Sequence, residues 1–562
     1  MGVTMKLLAL ALCALSGTSA FNKDLRIGSG GRTIHDFERE IANNPSDLDH
    51  LATRDTDPET LYPKQYFSIP IDHFPNSPKY APHTTRTFKN RYWFDDTHYK
   101  PGGPVIILQS GETNGLNRLV YMQNGILAQL AQATGGMSVV FEHRYYGYSF
   151  PTHDLTTEEL RFLTTEQALA DEAYFAQNVV FPGHEGEDLR SNATAWISYG
   201  GSYAGAFSAF LRVKYPDVFW GAISSSGVTK AIYNYWQYYD PPAKYGPQFA
   251  MATQKLFTDM VDTILISKAE NTALTQKLKA AFGMPNVTHA PDFANQLAQG
   301  VAYWQSLNWD PEISSPVFYE FCNNITSSDV LYPATEKKRS VAGSLLEAGG
   351  YEANKTLVNQ LLNYIGWVNL TSVSVCDAEG ISQDDCFGNL NKTKYEGTTQ
   401  KDAVWRSWAY QYCTEWGYLQ TGSGVPKDQM PLISRTIDIE YTSAVCRFGF
   451  DIHHKADVEE VNQYGGYDIK HSRLAFVDGQ WDPWRPATPH AYEYGAPHRD
   501  STTSEPFILI PKALHHYDEN GRFPNETTST LPPPSVKKAQ KQEREFVQAW
   551  VHEWNEAKKA KA

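Results

Sequence analysis

Short apolar runs, each ending in a polar or glycine-containing segment, organise the first third of the chain. Val105-Ile-Ile-Leu108 runs into Gln-Ser-Gly, and Ser138-Val-Val-Phe141 into Glu-His-Arg. Ala195-Trp-Ile-Ser-Tyr199 runs into Gly-Gly-Ser, and Gly221-Ala-Ile-Ser-Ser225 follows. Unbroken apolar runs of this length read as strands buried on both faces, the pattern of a parallel sheet. Helical stretches such as Glu166 to Gln177 lie between them. Strand alternating with helix predicts an α/β domain with both sheet faces covered. Residues 231–450 break the rhythm, being helix-like and rich in Trp, Tyr and Asn. The strand pattern resumes at Leu474-Ala-Phe-Val477 and Phe507-Ile-Leu-Ile510. The reading is therefore one α/β domain in two parts, 61–230 and 451–562, interrupted by a mainly helical insertion at 231–450. Phe546, Val547, Trp550, Val551 and Trp554 recur at helical spacing, so Val536 to Ala562 reads as an amphipathic helix packed on the sheet.

The 562 residues carry 49 Lys+Arg against 63 Asp+Glu, a formal net charge of -14. That balance argues against a nucleic-acid partner, which needs a basic face. The N-terminus supplies an address. Lys6 precedes the apolar run Leu7–Leu15 and small residues at Thr18 and Ala20. This is the layout of a cleaved secretory signal over 1–20, and the run is too short to span a membrane. Residues 21–60 read as a propeptide or surface arm. The expected location is outside the cell, with a vacuole or lysosome-like compartment as alternative. Seven Asn-X-Ser/Thr triplets fit such a route: Asn192, Asn286, Asn324, Asn354, Asn369, Asn391 and Asn525. The mature chain keeps five cysteines, Cys322, Cys376, Cys386, Cys413 and Cys446, enough for two disulfides and one thiol. No CxxC or HExxH pattern occurs, so neither a metal site nor a cofactor is expected. No membrane partner is expected either, and a homodimer is left open.

Candidate chemistry concentrates at Trp196-Ile-Ser-Tyr-Gly-Gly-Ser-Tyr-Ala-Gly205. A strand meets Gly200-Gly201-Ser202 and then a helix that Pro216 stops. This is the pattern of a nucleophile elbow, with Ala204 in the last place of G-x-S-x-G. Ser202 is the candidate nucleophile, and the N–H of Tyr203 can face an oxyanion. A serine needs a base to take its proton. In this fold class the acid and then the base follow the serine, on loops after late strands. Asp478 and Asp482 follow one such strand, and His515 and His516 the next. Order along the chain does not choose within either pair.

The chain resembles the S28 family of serine peptidases. The resemblance rests on Glu142-His-Arg-Tyr-Tyr-Gly147, Leu163-Thr-Thr-Glu-Gln-Ala-Leu-Ala-Asp171, Gly200-Gly-Ser-Tyr-Ala-Gly205, Lys214-Tyr-Pro216, Gly479-Gln-Trp-Asp-Pro-Trp484 and His515, in family order. Ile232 to Tyr239 and Asp482-Pro-Trp-Arg485 place it nearest the secreted fungal acid prolyl endopeptidases of that family. The resemblance implies an α/β-hydrolase fold, with the insertion as a large mainly helical cap. It puts the nucleophile on Ser202, the acid on Asp482 and the base on His515. The loop after the third strand departs from the family's Gly-x-Glu-Gly, reading Ser110-Gly-Glu-Thr113. Gly111 and Glu112 remain the candidates for a second oxyanion N–H. Trp484 is a candidate wall of a proline slot, or else a core residue. Cys413–Cys446 is the favoured disulfide, because both flank the cap's return to the hydrolase domain.

Three functions fit a serine elbow on this fold. The first is a secreted serine peptidase cutting on the carboxyl side of proline in peptides or proteins. The second is a carboxylesterase or lipase, which calls for a lid rich in Leu and Phe rather than Tyr, Asn and Trp. The third is a non-catalytic hydrolase-like binding protein, which usually lacks the serine or the histidine. Trimming of chain ends and internal cleavage both remain open.

Overall fold

The computed structural model describes residues 58–561. The expected signal at 1–20 and nearly all of the arm at 21–60 lie outside them. The main sheet is built from β1 (Gln65–Pro70), β2 (Thr87–Asp95), β3 (Val105–Gln109), β4 (Met137–Phe141), β5 (Trp196–Gly201), β6 (Gly221–Ser225), β9 (Leu474–Gly479) and β10 (Phe507–Ile510). The two remaining strands, β7 (Ile232–Asn234) and β8 (Gly417–Leu419), form a small parallel pair of their own. Order across the main sheet is β1-β2-β4-β3-β5-β6-β9-β10. From β4 to β10 every pairing is parallel, while β1–β2 and β2–β4 are antiparallel.

β3, β4, β5, β6 and β9 are buried almost throughout, as their apolar runs predict. Helix Tyr203–Lys214 packs on β5 and β6 and meets helix Thr165–Asn178. The C-terminal helix Pro534–Lys561 packs on helix Ile126–Thr134 and on β10. Its Trp550 is fully buried, and a Cβ at Gly221 would lie 2.7 Å from the indole, so the strand's first residue is a glycine for close approach.

Between β6 and β9 the regular structure is helical apart from β7 and β8. This insertion has its own apolar centre, where Phe257 stacks on Tyr364 at 5.6 Å and Phe282 meets both Phe293 and Tyr364. Disulfides join Cys413 to Cys446 and Cys376 to Cys386, leaving Cys322 reduced and buried. A mainly parallel sheet with a helical cap inserted between β6 and β9 is an α/β-hydrolase fold. Gly201 of β5 stands opposite Ser225 of β6, and Ser225 opposite Val477 of β9. The carboxyl ends of these strands thus lie at one level, the edge where open α/β sheets carry their sites.

Candidate active site

Ser202 stands between β5 and helix Tyr203–Lys214 with φ 60° and ψ -124°. A non-glycine residue in that region costs about 1–3 kcal/mol and persists only when its surroundings enforce it. The enforcement is visible. The Ser202 N–H donates to the Ser225 carbonyl at 2.9 Å, and the Ser202 carbonyl accepts the Ala206 N–H at 3.1 Å. A Cβ at Gly200 would lie 2.1 Å from the Ala204 carbonyl oxygen, and one at Gly205 2.6 Å from that of Ser225. Only glycine lets the turn close at both places. The Tyr203 N–H belongs to the first helical turn, whose donors have no partner within the helix.

The loop after β3 abuts this turn, since a Cβ at Gly111 would touch that of Ala204 at 3.6 Å. Gly111 has φ +72°, and its N–H donates to Gln109 Oε1 at 2.5 Å. That bond gives the Gly111 N–H a partner within its own loop, so the expectation that it faces an oxyanion requires the Gln109 side chain to turn away. Glu112, buried beside it, remains a candidate.

Asp482 and His515 come together. His515 Nδ1 lies 2.8 Å from Asp482 Oδ2 and 3.0 Å from Oδ1. Both residues are buried. Asp482 Oδ1 also accepts the Trp484 N–H at 2.8 Å, and the Trp481 N–H donates to Ala513 O, joining the two loops. Asp478 instead pairs with His490, Oδ2 to Nδ1 at 2.6 Å, while that imidazole stacks on Phe507 at 3.8 Å. His516 pairs with Glu519 at 2.9 Å. The two choices that chain order leaves open are therefore distinct in space.

Trp484 is buried inside an aromatic box. Tyr235 stacks on it at 5.3 Å, and Tyr238 and Tyr418 present edges at 5.3 and 5.1 Å. Its indole N–H and the Tyr238 hydroxyl both donate to Gln305 Oε1 at 2.8 Å. The cap thus supplies four of the side chains around it, and the His515 ring lies 6.5 Å from it between ring centroids.

Residue-level reading missed the support beneath the elbow. His143 Nε2 lies 2.8 Å from the Tyr203 hydroxyl, which also accepts from Gln411 Nε2 at 3.0 Å. Burial pushes the His143 imidazole down to about 4, so it stays neutral through most of the acid range. In the same segment Glu142 pairs with Arg91 and accepts the Gly115 N–H at 2.9 Å, bracing the loop after β3. Arg144 pairs with Asp171 of helix Thr165–Asn178. The signal was there: Glu142-His-Arg144 places two charges at the end of an apolar strand, where burial demands partners. Among the described residues no group of three or more His, Cys, Asp or Glu could hold a metal ion, and no helix is long and apolar enough to cross a membrane.

Fold and elbow define a capped α/β-hydrolase. A family model for serine carboxypeptidase S28 matches residues 70–532. The "Probable extracellular serine carboxypeptidase" of Arthroderma benhamiae is 52% identical over 503 residues, covering 89% of this chain and 69% of the relative. The thymus-specific serine protease of Mus musculus is 26% identical, over 87% of this chain and 88% of its own. Among solved structures, a proline iminopeptidase of Mycobacterium smegmatis aligns with 87% of this chain and 99% of its own, at 10% identity and a TM-score of 0.32. The chain belongs to the serine carboxypeptidase S28 family and is a serine peptidase.

Proposed function

We propose that the protein is a secreted peptidase that hydrolyses peptide bonds on the carboxyl side of proline, with Ser202 as nucleophile, His515 as base and Asp482 as the acid that orients it. The observation that carries this reading is the His515–Asp482 pair, set at the strand edge where the strained Ser202 emerges. Asp482 accepts the Nδ1–H of His515, which leaves Nε2 to take the proton of Ser202 Oγ. The alkoxide attacks the carbonyl carbon, and the oxyanion is met by the N–H groups of Tyr203 and Glu112. His515 then returns the proton to the leaving amine, and water hydrolyses the acyl-enzyme by the same route. Proline has a fixed φ and no N–H, so a site for it needs ring contact rather than a backbone hydrogen bond. Trp484 supplies one wall of such a slot. Secretion is favoured by the N-terminal pattern and by the extracellular relative.

Digestion of a proline-containing peptide set, blocked and unblocked at each end, tests specificity by mass spectrometry. Products ending in proline are the expected outcome. Cleavage independent of proline would refute the specificity, and turnover of simple esters with intact peptides would favour the esterase reading.

Secretion also predicts a pattern of sugar. Asn192, Asn286, Asn354 and Asn525 are exposed. Asn369 is half-buried, and its Nδ2 donates to both Phe282 O at 3.1 Å and Ile365 O at 2.7 Å. An N-linked sugar replaces one of those hydrogens. Glycopeptide mapping of the secreted protein should find the exposed four occupied and Asn369 bare. A fully occupied Asn369 contradicts the expectation.

A further inference from the structure

Behind the elbow lies a pair of buried carboxyl groups that the hydrolysis does not use. Asp518 is in the loop that carries His515. Its Oδ1 accepts from Ser225 Oγ at 2.6 Å, and its Oδ2 from the Tyr199 hydroxyl at 2.7 Å. Those two partners sit on β6 and β5. Ser225 also holds the elbow, because its carbonyl accepts the Ser202 N–H. Asp518 therefore ties the loop of the candidate base to the strands of the candidate nucleophile. From the other side, Gln540 of the C-terminal helix donates to the carbonyls of Asp518 and Asn520 at 2.8 and 2.7 Å.

One turn along that helix stands Glu543, fully buried. Among the described residues, no side-chain or backbone donor reaches either of its oxygens. The group within hydrogen-bond reach is Asp518, another carboxyl. Two carboxylates are both acceptors, so they can hydrogen-bond only with a proton between them. The other groups facing the pair change little. Tyr199 has its hydroxyl pushed well above the ordinary range by burial and stays a neutral donor. Glu519 adds negative charge but is itself paired with His516. Arg544 is a cation whose charge acts on Glu543, and it donates to Gln129 Oε1 at 2.6 Å.

We propose that Asp518 is a positioning residue for the hydrolysis and that it shares one proton with Glu543, which keeps the His515 loop docked on the elbow strands in acid and releases that hold as the pH rises. This rests on the reading of Ser202 and His515 given above. The titration fits the geometry. Burial pushes the Asp518 carboxyl up to about 6, against the pull of its bonds from Ser225 and Tyr199. Burial and then the charge of Asp518 push Glu543 well above the ordinary carboxyl range. A carboxyl whose folded-state pKa is raised stabilises the fold below its unfolded value, and that contribution is lost as pH rises through the folded value. For Asp518 the loss runs from about pH 4 to pH 6 and above.

The test compares the full secreted enzyme with Glu543→Gln and with Asp518→Asn, each of which makes one member permanently neutral. The ratio of kcat/KM at pH 7 to that at pH 4 should rise roughly tenfold over wild type in either variant, the change produced by moving one limb by one pH unit. The effect should fall on kcat rather than KM, and the loss of Tm between those pH values should shrink. Titration of His515 is common to all three proteins and cancels in the comparison. Unchanged ratios and Tm slopes in either folded variant overturn the proposal. If neither variant is secreted, wild type decides: a Tm that holds or rises from pH 4 to pH 7 overturns it, and a falling one supports it. Labelling of wild type by a fluorophosphonate at Ser202 separates the two levels. No label there sinks the underlying reading, whereas a label with unchanged ratios sinks only the shared proton.

Discussion

Ser202→Ala should abolish turnover, with kcat reduced on the order of 10⁴-fold or more and Tm close to wild type. The hydroxyl is the one group at the elbow that can form the acyl-enzyme, so its loss removes the covalent route. What catalysis remains would come from the N–H groups aimed at the oxyanion and from substrate binding. The fold should hardly notice. The strained backbone is held by the bonds of Ser202 N and O and by close packing at Gly200 and Gly205, none of which involves the side chain. Alanine tolerates φ 60° no better than serine, so little strain is added or relieved. A fluorophosphonate should label wild type at Ser202 and leave the variant unlabelled. Activity near wild type in the variant, or a label on a different serine, would overturn the elbow assignment.

Parallel strands β3, β4, β5, β6 and β9 were legible because they are buried on both faces and so had to be apolar runs, and β10, half-buried at Ile508 and Leu509, is an apolar run as well. β1 and β2 were not legible. Residues Thr87-Phe-Lys-Asn-Arg-Tyr-Trp-Phe-Asp95 carry too many polar groups to read as a sheet strand, yet Asn90 and Arg91 are buried. Their polarity is matched at β4's end, where Arg91 pairs with Glu142 and Asn90 donates to the Glu142 carbonyl. β7 and β8 are three residues each and exist only because the cap folds one onto the other. The site shows the same division. Residue order places an Asp and a His after the right strands, but the choice within each pair belongs to contacts. Nothing in a motif says that the Gln109 side chain will turn back and take the Gly111 N–H. Glu543 could have been found. Val536, Ala539, Gln540, Glu543, Val547 and Trp550 follow the spacing of one buried helix face. A glutamate on that stripe had to be neutral or paired.

Asp482→Asn should cost on the order of 10⁴-fold in kcat, while Asp478→Asn should cost stability instead. The first expectation follows from the Trp484 N–H. It donates to Asp482 Oδ1 at 2.8 Å, so an asparagine there keeps its carbonyl oxygen toward Trp484 and turns its NH2 toward His515 Nδ1. An imidazole facing that donor must accept at Nδ1 and carry its proton on Nε2. That is the tautomer unable to take the proton of Ser202. The opposite rotamer would set NH2 against the Trp484 N–H and is disfavoured for want of an acceptor. Packing is conserved, so Tm should stay near wild type. Asp478 differs because it serves His490, an imidazole stacked on Phe507, rather than His515. An asparagine there disturbs a fully buried polar pair, which costs about 1–3 kcal/mol of stability. Rates for the two variants on one proline-containing peptide, measured beside their melting curves, separate the roles. If Asp478→Asn proved the slower enzyme while its Tm held, the acid would be Asp478, and His490 rather than His515 would be the histidine it orients.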